Sequence, residues 1–151
     1  MMSTPLDPCS RLTLAVFRAQ LALSAEGDRL AAPDDLTSAQ WKVLGAIALA
    51  EEAPSAAAIG RAMGLSRQAA LKQVQLLLER EMIVGQPNPL DARAPVFSAT
   101  PRGQVAYASV MGRWQARSAV LFADLSPSAL ETACQVLETV LGQLQSPAEA
   151  A

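Results

Sequence analysis

The 151-residue chain has no histidine. That absence removes histidine acid–base catalysis, histidine-activated nucleophiles and every histidine-containing metal site. Cysteine is almost as scarce. Cys9 and Cys134 stand far apart and form no Cys-x-x-Cys pair, so they read as reduced cytosolic thiols rather than a disulfide framework. The scattered carboxylates form no ligand cluster and no nucleophile–base pair is visible, so no enzyme is expected and no cofactor or metal is implied. Long apolar runs are missing too: none approaches the ~18 residues of a membrane helix. The opening MMSTPLDPCSR lacks a basic segment followed by an apolar core, so no secretory signal is expected and the cytoplasm is the expected compartment.

What the chain does have is apolar surface. Hydrophobic residues make up 51% and charged residues only 17%. A core can form and wholesale disorder is not expected. The length suits one domain, or one domain plus helices that need a partner. Net charge is −2, but it is unevenly placed. Residues 40–105 hold seven Lys/Arg against five acids, and the rest of the chain holds five against nine. The middle is therefore the segment expected to face nucleic acid.

That middle segment has a recognisable order. AAAIGRAMGLSRQAALKQVQLLLEREMI reads as a short helix from Ser55 to Met63, a turn at Gly64 and a longer helix from Ser66 to about Met82. Two helices joined by a short glycine-containing turn are the helix-turn-helix signature. Gly64 can adopt the left-handed conformation and Ser66 can cap the second helix. Ala70, Val74 and Leu77 share an inward stripe, while Arg67, Gln68, Lys72, Gln75 and Glu79 lie largely opposite. Arg67 could read guanine and Gln68 adenine; Lys72 suits a phosphate, and solvent is the bland alternative for both cations. Leu71, Leu76 and Leu78 make this helix greasier than a DNA reader needs, so some of them are expected to be exposed or to be covered by a further surface. Next come two short apolar runs, around Val84 and at Val96-Phe97, flanking Pro87-Asn88-Pro89. They read as a β-hairpin wing. Asp91-Ala-Arg93 sits at its end, where Arg93 could enter a minor groove and Asp91 could orient it through a charge-assisted hydrogen bond.

The flanks read as helices. Residues 8 to about 30 are apolar on two faces, Leu12/Val16/Ala19/Leu23 and Leu14/Phe17/Leu21, which implies burial on two sides. AAPDD reads as a loop, and Thr37-Ser-Ala-Gln40 as a capping box opening a helix with Trp41, Leu44 and Ile47. Trp41 is a core anchor in the ordinary reading and a ligand-pocket wall in the sharper one. Thr100-Pro101 and Ser126-Pro127 are clean helix starts. Leu130, Ala133, Leu137, Val140 or Leu141, and Leu144 give the last helix a seam-like stripe ended by Ser146-Pro147. A small winged core cannot bury all three flanking helices. Burying roughly 1,500 Å² or more against a second copy would. The fold class expected is therefore mainly α with a small β-hairpin wing. It divides into an N-terminal dimerisation helix and loop (1–36), a winged helix-turn-helix lobe (37–103) and C-terminal dimerisation helices (104–151).

Taken together, T37-S-A-Q-W-K-V-L44, I59-GRAMGLS66, E81-M-I-V and P89-L-D91-A-R93 resemble the multiple-antibiotic-resistance regulator (MarR) family. That family's wing pattern, D-x-R then Thr nine positions after the Asp and Gly three later, is met by Asp91, Arg93, Thr100 and Gly103. The resemblance implies a homodimer whose two winged lobes straddle a near-palindromic operator on double-stranded DNA. Ser66, Arg67, Gln68 and Lys72 would face the major groove and Arg93 the minor groove. It also implies a repressor released by a small aromatic or phenolic effector, with Phe17, Trp41, Tyr107 and Trp114 as candidate cleft residues; core packing is the ordinary reading for each. Some relatives sense organic hydroperoxides through a cysteine near the position of Cys9, usually with tyrosines beside it, whereas this chain has only Tyr107. Ala92, Gly85-Gln86, Leu71, Leu76 and Ala99 depart from the pattern, and the missing cations imply fewer phosphate contacts. Two alternatives stay open: a Cys9 redox sensor on the same fold, and a helical interaction protein with weakened DNA binding.

Overall fold

The computed structural model describes residues 6–146. The first five residues, part of the stretch read for a secretory signal, and residues 147–151 after the last helix lie outside it. Helix α1 (Pro8–Ala31) starts where the Asp7 carboxylate accepts the amides of Cys9 and Ser10 and the Ser10 hydroxyl. Pro8 fits there because a first-turn amide has no helical partner. Only Gly27, Leu30 and Ala31 of α1 are buried. Both of its apolar stripes, Leu12 to Leu23, are exposed on the single chain.

The AAPDD segment is not the plain loop expected. Ala32–Asp34 form a single 3-10 turn, closed by Asp35 in the left-handed region at φ 54°. The Asp35 amide reaches Ala32 O and the Leu36 amide reaches Ala31 O, so the corner satisfies its own backbone. Helix α2 (Ser38–Ala48) then opens with the expected capping box: Gln40 N donates to Thr37 Oγ1 at 3.2 Å and Thr37 N to Gln40 Oε1 at 3.0 Å. Asp28 of α1 adds a bond to the Ser38 amide at 2.7 Å, which fixes the α1–α2 corner.

Helices α3 (Ala56–Met63) and α4 (Arg67–Glu79) follow. A two-stranded antiparallel hairpin, β1 (Ile83–Gln86) and β2 (Val96–Ala99), pairs Ile83 with Ala99 and Gln86 with Val96. Helix α5 (Pro101–Leu121) comes next. The core draws Val43 and Leu44 from α2, Ile59 from α3, Leu77 from α4, Ile83 from β1 and Val110 from α5, each fully buried.

Helix α4 stops at Glu79, three residues short of the expected Met82. The cause lies in the backbone. Glu81 takes φ 57°, its amide reaches Leu78 O, and the Met82 amide reaches Leu77 O. This is a Schellman closure with glutamate where glycine usually sits. It turns Met82 and Ile83 into the core, where both are buried, and that burial offsets the left-handed strain.

The same junction starts α5. The Thr100 hydroxyl accepts the Gly103 amide at 3.1 Å and donates to Glu81 O at 2.7 Å, while the Thr100 amide donates to Met82 O at 3.0 Å. A Cβ on Gly103 would lie 2.0 Å from Met82 O. Only glycine lets the two backbones meet there.

Residues up to Trp114 form one compact unit and those from Gln115 a second. The second holds the last turns of α5 and helix α6 (Pro127–Gln145), capped by Ser126, whose hydroxyl accepts the Ala129 amide at 3.2 Å. No α6 residue is buried; Val136, Leu137, Val140, Leu141, Leu144 and Cys134 are all exposed.

Gly103→Ala is expected to lower unfolding stability by about 3 kcal/mol, the upper end for an overpacked site, because Met82 O cannot yield without moving the junction. Urea denaturation of the two proteins measures it, and a loss under about 0.5 kcal/mol would show that the close approach is not needed.

Candidate nucleic-acid interface

The α3–α4 turn is tight for stated reasons. Ser55 caps α3 by accepting the Ala58 amide at 3.3 Å. Gly64 sits at φ 64° and the Leu65 amide reaches Gly60 O at 2.8 Å. A Cβ on Gly60 would come within 2.8 Å of Leu65 O, so the close pass of the turn over α3 requires glycine at position 60. Ala70, Val74 and Leu77 of α4 are buried, as the inward stripe predicts. Arg67, Gln68, Leu71, Lys72 and Gln75 are exposed together. The Gln75 amide is engaged by Glu79 at 3.1 Å; Arg67, Gln68 and Lys72 head the helix. Ser66 accepts the Ala69 amide at 3.1 Å, so its hydroxyl serves as a cap whatever else it meets.

The wing is anchored by Phe97, which is buried and whose amide donates to Pro54 O at 3.0 Å. Ser55 and Val96 add a single antiparallel bridge. The hairpin is thereby tied to the start of α3, which positions its loop beside the recognition helix. In that loop Asn88 Oδ1 accepts the Leu90 amide at 3.0 Å. Asp91 does not hold the Arg93 guanidinium, as the D-x-R reading suggested. Its Oδ1 accepts the Arg93 backbone amide at 2.9 Å, and its carbonyl accepts the Ala94 amide at 3.1 Å. Asp91 thus orients Arg93 through its backbone, and among the described residues the guanidinium forms no ion pair. Arg67 and Leu71 of α4 and Asn88, Asp91 and Arg93 of the wing line one cleft of about 500 Å³ over Phe97.

The aromatic candidates divide. Trp41 and Trp114 pack with ring centroids 6.3 Å apart, tilted by 58°, and both rest with Tyr107 against the core. The Tyr107 ring lies on α2, where a Cβ on Gly45 would be 3.0 Å from it. The Trp41 indole N–H is buried without a partner, which is costly unless something else accepts it. Phe17 stands outside this group, 65% exposed on α1. Cys9 is exposed, but its amide is already taken by Asp7. The Ser10 hydroxyl and amide, together with the Cys9 amide, hold the Asp7 carboxyl below the usual carboxylate range against a small opposing desolvation.

Two arginines had no signal in the sequence. Arg113 of α5 donates to Leu30 O at 2.7 Å and Ser109 Oγ at 3.0 Å and forms an ion pair with Asp34. Arg80, just past α4, donates to the carbonyls of Asp34 (3.1 Å) and Asp35. Both clamp the α1–α2 corner, so Arg80 is a structural cation rather than a DNA-facing one. Their partners lie far away in the chain, beyond the reach of any spacing rule. Among the described residues no group of three metal-ligating side chains occurs, and no helix is long and apolar enough to cross a membrane.

A family model described as the MarR family matches residues 34–94. No match is found among curated proteins. Among solved structures, a MarR/EmrR family transcriptional regulator from Acinetobacter sp. ADP1 aligns at 15% identity with TM-score 0.81, covering 94% of this chain and 100% of that one. The PcaV transcriptional regulator of Streptomyces coelicolor, in complex with its natural ligand, aligns at 21% identity and TM-score 0.74 over 93% and 98%. The transcriptional repressor CouR, bound to a 23-mer DNA duplex, aligns at 23% and 0.74 over 92% and 99%.

Ser66→Ala is expected to cost about 1 kcal/mol of stability through the lost cap, while Ser66→Asp, also a good cap, keeps it. If Ser66 also lies against the DNA backbone, the aspartate variant binds duplex more weakly than the alanine variant despite being more stable. Thermal melts and mobility shifts on the same samples separate cap from contact, and equal binding by both variants removes Ser66 from the interface.

Proposed function

We propose that this protein, whose residues 34–94 form a MarR-family winged helix within the MarR-regulator fold, is a dimeric DNA-binding transcriptional repressor released by a small aromatic or phenolic ligand. The observation that carries the reading is the cleft where the exposed start of α4 meets the wing, with Arg67 and Arg93 on its walls. Helix α4 enters the major groove, where Arg67 suits guanine and Gln68 adenine. Lys72 pairs with phosphate. Arg93, held from its backbone by Asp91, reaches the adjacent minor groove. CouR, a similar structure solved bound to a DNA duplex, supports duplex DNA as the partner.

Dimerisation follows from what the single chain leaves uncovered. Leu12, Leu14, Phe17 and Leu21 of α1, and the Leu137/Leu141/Leu144 stripe of α6, are exposed. Covering such faces against a second copy is how obligate dimers bury apolar area. Residues 1–36 and 104–151 then serve the dimer and 37–103 the DNA, with two lobes on a near-palindromic operator. The effector site lies at Trp41, Tyr107 and Trp114, where the unpartnered Trp41 N–H offers a hydrogen bond to a phenolic or carboxylate oxygen. Phe17, exposed on α1, fits the subunit contact better than the effector site. A regulator that binds DNA works where the DNA is, so the location proposed is the cytoplasm. The Cys9 sensor is the weaker reading, since Asp7 already occupies the helix-start amides that would stabilise a thiolate.

Arg93→Ala tests the wing. Its affinity for a bound operator duplex is expected to fall about ten-fold or more, in line with ~1–3 kcal/mol for a groove-reading arginine. Light scattering should still report a dimer. Unchanged affinity in a mobility-shift series would contradict the assignment.

A further inference from the structure

Three leucines made the recognition helix greasier than its role requires, and the structure separates them. Leu78 packs on the core and Leu76 is half-buried. Leu71 alone is exposed, at 43%, on the DNA-facing side. It lies one helical turn after Arg67 and shares the cleft wall with it, opposite Arg93. We infer that Leu71 is a specificity residue that packs on the 5-methyl group of a thymine in the major groove. The inference rests on the DNA-binding reading above.

The physical reason is a matter of matching surfaces. Arg67 and Arg93 share the cleft with Leu71, against the single carboxylate of Asp91, and Lys72 follows Leu71 on the exposed helix, so the partner drawn to this face is a polyanion. A leucine pressed against polar base edges would desolvate them and return nothing. The thymine methyl is the apolar group that the four standard bases present in that groove. Along the helix axis Leu71 lies ~6 Å from Arg67, at ~1.5 Å per residue. With base pairs stacked every ~3.4 Å, the thymine falls one or two base pairs from the pair read by Arg67. Leu71 is not among the residues of the buried core, so its replacement should leave the fold intact.

Deoxyuridine lacks only that methyl and keeps every hydrogen-bonding group of thymine, which makes it the probe. A duplex is first enriched from a random-sequence library with the full-length wild-type protein. It is then copied with deoxyuridine in place of thymine, and both forms are titrated with wild type, Leu71→Ala and Leu71→Gln. Wild-type affinity is expected to fall about four-fold per half-site on the uracil duplex, the equivalent of one buried methyl. Both variants should bind the two duplexes alike, near the wild-type value on uracil. Equal wild-type binding to both forms overturns the inference while leaving DNA binding standing. So does an undiminished thymine preference in the variants, which would place the methyl contact on another residue. If no duplex is enriched at all, the DNA-binding reading fails and the inference with it.

Discussion

The close approach of Gly103 to Met82 O is the constraint on which the rest of the lobe depends. At that point three elements end or begin: α4 closes through Glu81, β1 leaves from Ile83, and α5 starts from Thr100. Thr100 bonds both sides of the junction, so neither helix can rotate without breaking the other's terminus. The recognition helix is therefore held at its far end by the same contact that launches the wing. A side chain on residue 103 would push these apart, and the Arg67–Arg93 cleft is the geometry that would be lost.

The surface proposed to face DNA is economical in charge. The segment carries a small basic excess, and the structure withdraws Arg80 from it to brace the α1–α2 corner with Arg113. At the exposed start of α4 and in the wing loop the cations are Arg67, Lys72 and Arg93, with the exposed Leu71 among them. Fewer phosphate contacts mean a shallower salt dependence than a cation-rich relative would show. On the proposed DNA-binding reading, specificity then rests more on direct contact with base edges than on electrostatic attraction. The two arginine clamps also link α1, α5 and the end of α4 through one corner.

Much of this was legible in the chain because its local signals are strong. The Thr37/Gln40 capping box, Ser55 and Ser66 as caps, Gly64 as the left-handed stop and the Thr100-Pro101 and Ser126-Pro127 starts all act through neighbours a few residues apart. The inward stripe of α4 and the hairpin followed from periodicity and turn residues. The end of α4 did not, because Glu81 occupies a conformation that glycine normally marks. The spacing of Thr100 and Gly103 after Asp91 was visible in the sequence, but its cause, a backbone contact with Met82, was not. Asp91 was read as a partner for the Arg93 side chain when it bonds the backbone instead. Arg80 and Arg113 were opaque, since their partners at the α1–α2 corner are brought close only by the tertiary fold.

The claim that unites these features is that two copies of the lobe sit on duplex DNA with their recognition helices in successive major grooves. Hydroxyl-radical footprinting of the wild-type protein on an enriched duplex tests it most directly. The account predicts two protected patches related by a two-fold axis, their centres ~10 base pairs or a multiple apart on one face of the duplex, with further protection where Arg93 enters the minor groove. A single asymmetric patch, or protection without that spacing, would contradict it.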